Sequence, residues 1–338
     1  MKMSGVVTTI NPPNSAMLKL VDHSVESSSP LFIVGDVKTS NKWEEIDCQF
    51  LSIEKQKTLR FETVSTSPLN HYARKNIGYL CSMEQEVAWI YETDDDNSPI
   101  QNPFLQRSWE FTATPFHGSG PWLNTYEIFL AGQELQFNCW PRGFDLESVL
   151  SSSPEPLKDT LVNSPIQQGL ADGDPDVDAI FRLTVNQPIK FNNRNPVVLT
   201  NQQWSPINSQ TTWWARDFFR LMYLPATCTF RLTDILRGFV AVRILREYGQ
   251  NVSFFSPVVY QDRNEHNLLS DFSQEVQLYR GAGEITEKLD KIQLSNHRSM
   301  ADQMTACYES LVSSAVISKD ELISLANWMK DCDKLGLR

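Results

Sequence analysis

Apolar residues in the first third of the chain gather into short runs of strand length, separated by stretches with helical spacing. Residues 6–10 form the first run, Val-Val-Thr-Thr-Ile, and the loop Asn11-Pro12-Pro13-Asn14 follows. Residues 31–36 form a second, closing on Gly35 and Asp36. Between Tyr72 and Cys81, the residues Ala73, Ile77, Leu80 and Cys81 recur at the period of one helix face. A third apolar run, residues 88–91, stops abruptly at Glu92-Thr93-Asp94-Asp95-Asp96-Asn97. Strands alternating with helices in this way predict an α/β protein built on a mostly parallel sheet.

The later pattern turns helical. Residues 234–245 are largely apolar all round, as in a buried helix, and Gly249 supplies a stop. Ser318 with Glu321 reads as a capping box ahead of Leu322, Leu325, Trp328 and Met329, with Gly336 as terminator. Residues 179–183 read as an apolar strand behind an acidic turn, and residues 151–156 and 188–206 as surface excursions rich in Ser, Pro, Asn and Gln. Trp204, Trp213, Trp214, Phe218, Phe219 and Tyr223 crowd one region at helix-like spacing, which favours core over a sugar-stacking surface.

Chemistry enters where the third apolar run ends. Carboxylates at the end of a buried strand sit at the sheet edge where α/β proteins bind ligands. Three adjacent aspartates repel one another unless something cationic shares them. Mg2+ and Mn2+ prefer oxygen ligands and bind through one or two carboxylates plus substrate phosphates, so the run predicts a nucleotide-diphosphate site; a solvated acidic turn is the competing reading. Asp36 and Lys38, after the second run, fall where a nucleotide-binding sheet meets base or ribose, although a simple turn explains them as well. Arg74 and Lys75 stand near a helix N-terminus, where basic groups oppose the dipole, so contacts to phosphate or acid explain them better than helix stability does. Gly78 in mid-helix costs about 1 kcal/mol against alanine and points to a close approach by a backbone or ligand.

A second acidic group, Asp176 and Asp178, points to one side if its segment is extended, and such a pair suits a general base that activates a hydroxyl. Asp174 competes, and an acidic turn is an equal alternative. Arg142, between Pro141 and Gly143, is held in a sharp turn whose guanidinium fork suits a diphosphate or carboxylate, as a surface arginine would also look. His266, in the polar stretch after Tyr260, is a candidate to complete a metal shell, though a lone histidine is more often structural.

Composition narrows the partners. The chain has 338 residues and a formal charge of −11, which argues against a nucleic-acid backbone or an anionic membrane as main partner. No run of apolar residues is long enough to span a bilayer and no export signal opens the chain, which leaves room only for peripheral membrane contact. The six cysteines lack any CxxC pairing and read as reduced core thiols of a cytoplasmic protein.

In this order, residues 74–80 (Arg-Lys-Asn-Ile-Gly-Tyr-Leu), Asp94-Asp95-Asp96, Trp140-Pro141-Arg142-Gly143, residues 166–169, Pro175-Asp176-Val177-Asp178 and residues 234–238 resemble the STELLO family of glycosyltransferases. They resemble more distantly the reversibly glycosylated polypeptides that act as UDP-arabinopyranose mutases. The resemblance spans residues 6–249 and implies a GT-A-like nucleotide-binding fold over residues 1–275, with a helical extension over 276–338. It implies a DxD motif on Asp94 and Asp96, with Asp95 beside it at the nucleotide, holding Mn2+ or Mg2+ and the diphosphate of a sugar nucleotide, UDP-sugar being favoured. It places Asp176 and Asp178 on the family's acidic pair as base candidates, Asp178 slightly preferred, and Arg142 on the position glycosylated in the mutase-like relatives. Trp140 and Phe144 depart from the mutase pattern. Plant STELLO proteins carry a membrane anchor that is not read here, so a Golgi role is not expected. The expected activity is sugar transfer to a saccharide hydroxyl, as in polysaccharide biosynthesis; a sugar-nucleotide mutase and an inactive scaffold are the alternatives.

Overall fold

The computed structural model describes the chain except for Met1, Asn186, Asn201, residues 264–266, His297, Arg298 and Arg338. The expected metal ligand His266 therefore lies outside the described residues. The strands are β1 (Met3–Thr9), β2 (Leu31–Gly35), β3 (Gln49–Leu51), β4 (Trp89–Asp94), β5 (Asn97–Pro99), β6 (Glu110–His117), β7 (Glu155–Pro156), β8 (Thr160–Asn163), β9 (Ile166–Gly173), β10 (Val197–Leu199), β11 (Thr211–Ala215) and β12 (Val252–Gln261). The α-helices are α1 (Ser15–Glu26), α2 (Ile53–Thr58), α3 (Thr63–Thr66), α4 (Lys75–Met83), α5 (Thr125–Leu130), α6 (Ala179–Thr184), α7 (Thr233–Glu247), α8 (Leu268–Asp290), α9 (Met300–Ser313) and α10 (Glu321–Lys334).

One mixed sheet runs in the order β3-β2-β1-β4-β11-β9-β12-β10-β6-β7, with β5 added on β12 and β8 on β6. Its first four strands are parallel, β11 is antiparallel to both β4 and β9, and the two longest pairings, β9 with β12 and β1 with β4, are parallel. A mixed sheet flanked by helices, ending in a helical C-terminal region, is consistent with a GT-A-like fold.

The apolar runs form strands because both faces of the sheet are covered, as parallel sheets require. Alternation along each strand divides them between two packed layers. Val6, Phe32, Val34 and Ile90 join the layer that contains α4, whereas Val7, Leu31, Ile33 and Tyr91 pack with Met17 and Leu20 of α1. Gly78 is explained here: a Cβ at that position would lie 2.5 Å from Val34 and 2.7 Å from Val6, so α4 can seat on the sheet only without one. The close approach is to side chains of β1 and β2.

The C-terminal helices share the same core, which reaches Leu325, Trp328 and Leu337, and α8 runs unbroken through residues 275 and 276. Asp331 of α10 accepts hydrogen bonds from the Thr63 amide and hydroxyl, both 2.8 Å, fastening the end of the chain to α3. The crowded aromatics are core as expected, although Trp213 and Trp214 lie on a strand. The six cysteines are free thiols. Among the described residues, no helix is long and apolar enough to cross a membrane.

Three expectations are corrected. Residues 179–183 are helical, because Asp178 accepts the Phe181 amide and caps α6; a short apolar run does not distinguish strand from helix. The capping box at Ser318 does not form: Glu321 is buried and receives Tyr223 and the Ala226 and Thr227 amides instead. Residues 188–206 are no surface excursion, since they contribute β10 and bury Phe191, Val197 and Trp204.

Candidate functional site

From β1 the chain passes outward to β2 and β3, then returns to place β4 on the other side of β1. Loops after adjacent strands diverge at such a switch point and leave a crevice outside the carboxyl ends of the strands. A cleft of about 530 Å³ lies there. Ile10 and Asn11 follow β1, Asp36 and Lys38 follow β2, and Asp94, Asp95 and Asp96 end β4, all on its wall.

The three aspartates are not equivalent. Asp94 accepts Tyr72 Oη at 2.6 Å and Lys75 Nζ at 3.4 Å, both on Oδ1. Burial pushes its carboxyl up to about 6, with Lys75 opposing and the neighbouring Asp96 adding to the rise. Asp95 turns back to β1, taking Asn11 Nδ2 at 2.9 Å on its carboxylate and Asn14 Nδ2 at 2.8 Å on its carbonyl. That gives the middle aspartate a structural task, fixing the loop after β1. Asp96 accepts Gln261 Nε2 from the end of β12 at 2.9 Å.

Opposite stands a buried ionic network. Arg142 donates Nε and Nη2 to the two oxygens of Asp176 at 2.8 and 2.7 Å, and Nη2 also reaches Asp234 at 3.0 Å. Its Nη1 donates to the Arg231 carbonyl. Gly143, at φ +84°, makes the turn that presents this arginine, and Ile235 occupies the space a Cβ would need. Burial would raise the Asp176 carboxyl, but the Arg142 and Arg231 charges outweigh it and hold it down at about 2. Arg263 donates to the carbonyls of Asp174 and Pro175 at 3.1 and 3.0 Å. Arg231 is tied to Glu275 of α8 at 2.7 Å.

Most of the residues singled out in the sequence meet here, and some do not. Asp36, Lys38, Asp94, Asp95, Asp96, Arg142 and Asp176 all line the cleft. Lys75 is buried beneath it, bonded to the Thr93 carbonyl and Tyr72 as well as Asp94. Arg74 reaches the wall, yet its guanidinium is committed to Gln56 and the Ser67 carbonyl, which explains a basic group at a helix start by structure. Asp178 is not on the cleft wall. Its oxygens take the Phe181 amide and Trp140 Nε1, and burial raises its carboxyl to about 6 against these bonds. The two do not face the cleft together as expected: Asp178, though extended in backbone, turns its carboxylate to cap α6, which begins at Ala179, and the cleft receives only Asp176.

Tyr72, Ser209, Arg231, Asp234 and Arg263 belong to the site without having been assigned to it. A chain of hydrogen bonds runs from Asp94 through Tyr72 and Ser209 to Asp234. These residues come from separated segments and have no shared spacing; Asp234 and Arg263 stood within segments noted for other reasons. Among the described residues, no three His, Cys, Asp or Glu side chains gather as a metal cage. Asp94 and Asp96 still suit Mg2+ or Mn2+ held by two carboxylates and completed by substrate phosphate: their charges raise each other's cost, and both donors to Asp94 leave Oδ2 open.

Residues 231–338 match the family model described as STELLO glycosyltransferases. That segment begins at Arg231 and carries Asp234 and Arg263 of the cleft wall. Probable glycosyltransferase STELLO2 of Arabidopsis thaliana is 28% identical over 292 residues, covering 78% of this chain and 36% of that protein. Probable glycosyltransferase STELLO1 of the same plant is 26% identical over 330 residues, covering 90% of this chain and 41% of that protein. The chain thus spans roughly two fifths of the curated relatives it matches. A crystal structure of a mycobacterial protein matches at TM-score 0.41 and 8% identity, over 82% of this chain and 72% of its own, a likeness too slight to carry an argument. By sequence, the chain is similar to the STELLO glycosyltransferases.

Proposed function

We propose that the cleft binds a nucleoside diphosphate sugar, UDP-sugar being favoured, together with Mn2+ or Mg2+, and that the chain transfers the sugar to a saccharide hydroxyl. The observation that carries this reading is the position of Asp94 and Asp96 at the end of β4, at the switch point of a parallel sheet. The names of the related plant proteins support the same class. Asp94 and Asp96 would hold the metal, which supplies a Lewis acid for the departing diphosphate. Tyr72 and Lys75 fix Oδ1 of Asp94, so the carboxylate meets a ligand already oriented. Asp36 and Lys38 flank the end of β2, where the base or ribose would sit. A cytoplasmic location fits the free thiols.

The acidic pair takes a different part. Asp176 lies in the cleft but, held near 2, is a weak proton acceptor, and its bonds suit it to orienting Arg142. Asp178 lies away from the cleft. Arg142 has every guanidinium nitrogen engaged by Asp176, Asp234 or the Arg231 carbonyl, which favours transfer over a mutase that uses this side chain as a nucleophile.

Calorimetry with UDP or GDP and manganese tests the reading. Manganese is expected to strengthen binding, and that gain should be lost in Asp94→Ala and Asp96→Ala. Absence of metal-dependent binding, or binding indifferent to both substitutions, sinks it. Incubation with UDP-sugars and no acceptor addresses the mutase: a ring-isomer product, or an adduct lost in Arg142→Lys, would replace the transferase.

A further inference from the structure

Three arginines gather around the segment that carries Asp176. Arg231 and Arg263 line the cleft, and Arg182 of α6 stands behind them. Burial lowers the Arg263 guanidinium to about 10, and repulsion from Arg182 and Arg231 adds to the fall, so the three charges feel one another. Like charges held together in a protein call for an anion among them.

Part of that need is met internally. Glu275 takes Arg231 Nε at 2.7 Å and Asp271 takes Arg182 Nη2 at 2.7 Å. The remaining edges are not met. Among the described residues, Arg231 Nη2, Arg263 Nε, and Nε and Nη1 of Arg182 are buried without a hydrogen-bond partner, and Arg231 and Arg182 are each only 6% exposed. Buried guanidinium donors are rarely left so. Asp176 is 3.8 Å from Arg231 Nη2, beyond hydrogen-bond reach, and both its oxygens are taken by Arg142, with Asn208 on the second. Of the three, Arg231 and Arg263 are on the cleft wall.

We propose that Arg231 and Arg263 form an oxyanion subsite that takes a phosphate or carboxylate group without a metal, separate from Asp94 and Asp96; its place within a sugar-nucleotide cleft rests on the reading above. Guanidinium forks match both groups. The oxyanion is either a phosphate of the donor or the carboxylate of an acidic sugar.

The test is calorimetry of the full chain in EDTA with two probes, inorganic pyrophosphate and glucuronate. Pyrophosphate alone binding identifies the phosphate, and glucuronate binding identifies an acidic sugar. In either case Arg263→Gln should weaken binding about tenfold or more, the loss of one charge-assisted contact. Arg263 is the residue to change, because Arg231→Gln would strand the buried Glu275; Arg263→Lys, which keeps the charge, should retain part of the affinity. Failure of both anions to bind in EDTA, or equal binding by Arg263→Gln, overturns the subsite. Manganese-dependent UDP binding through Asp94 is scored separately, so loss of one conclusion is distinguishable from loss of the other.

Discussion

Replacing Asp94 with asparagine should make the metal-free protein more stable at pH 7.5 and leave it no more stable at pH 4. The Asp94 carboxyl rises from 3.8 to about 6, chiefly through burial, with Asp96 adding and Lys75 opposing. Its folded value exceeds its unfolded value, so between about pH 4 and 6 the folded protein keeps a proton that the unfolded chain has released. Stability therefore falls as pH rises through that window, and the penalty is complete above it. A shift of about two units corresponds to roughly 3 kcal/mol. The side chain is 33% exposed, and solvent screening brings the expected gain down to about 1–2 kcal/mol. Asparagine still offers an acceptor to Tyr72, so the hydrogen bond there survives the exchange. Thermal unfolding in EDTA should show a rise in Tm of about 1–4 °C at pH 7.5, closing as the pH approaches 4. A loss of stability equal at both pH values would refute the reasoning, because it would show the carboxylate to be structural rather than held for a ligand. In the wild-type protein, manganese affinity should fall as pH drops below about 6, since metal and proton compete for the same oxygens.

Asp178→Ala should cost about 1–2 kcal/mol through loss of the α6 cap, while manganese-dependent UDP binding stays intact; impaired binding in a folded variant would show that Asp178 reaches the cleft. Gly78→Ala should destabilise by about 1–3 kcal/mol in urea unfolding, because its methyl meets Val34 and Val6, and a neutral result would mean that α4 lifts freely off the sheet. Arg237→Leu should cost about 3–5 kcal/mol by taking from buried Glu92 the guanidinium bonded to it at 2.8 and 3.0 Å and leaving only Lys75, at 3.9 Å, as a counter-charge. A double variant with Glu92→Gln should recover part of that loss, and if it recovers none, the pair is not coupled.

The buried strands were readable because their pattern is local. Residues 6–10 and 31–36 carry continuous apolar runs, and residues 72–81 and 234–245 carry helical periods, so each segment announces its element before any partner is known. Residues 179–183 were not readable in this way, being too short for period to decide; Asp178 caps them as a helix, and that helix packs on α8. Glu321 shows the same dependence: a capping role is local, but the amides of residues 226 and 227 arrive from far along the chain and take the carboxylate.

For the site, the local pattern was enough to put carboxylates at the end of β4, since an apolar strand that stops at Asp94-Asp95-Asp96 carries them at its C-terminal end. It also marked Arg142 by the turn around it. Only the tertiary structure decided which carboxylates share a space. Asp95 was drawn to Asn11 and Asn14, Lys75 sank beneath the floor, and Asp176 was paired with Arg142 while Asp178 was turned away. Arg231 and Asp234 joined them at the start of α7, and Arg263 just past the end of β12. The physical reason is range: side-chain period and chain turns act over a few residues, whereas the charge and burial of a cleft depend on groups that only the folded core brings together.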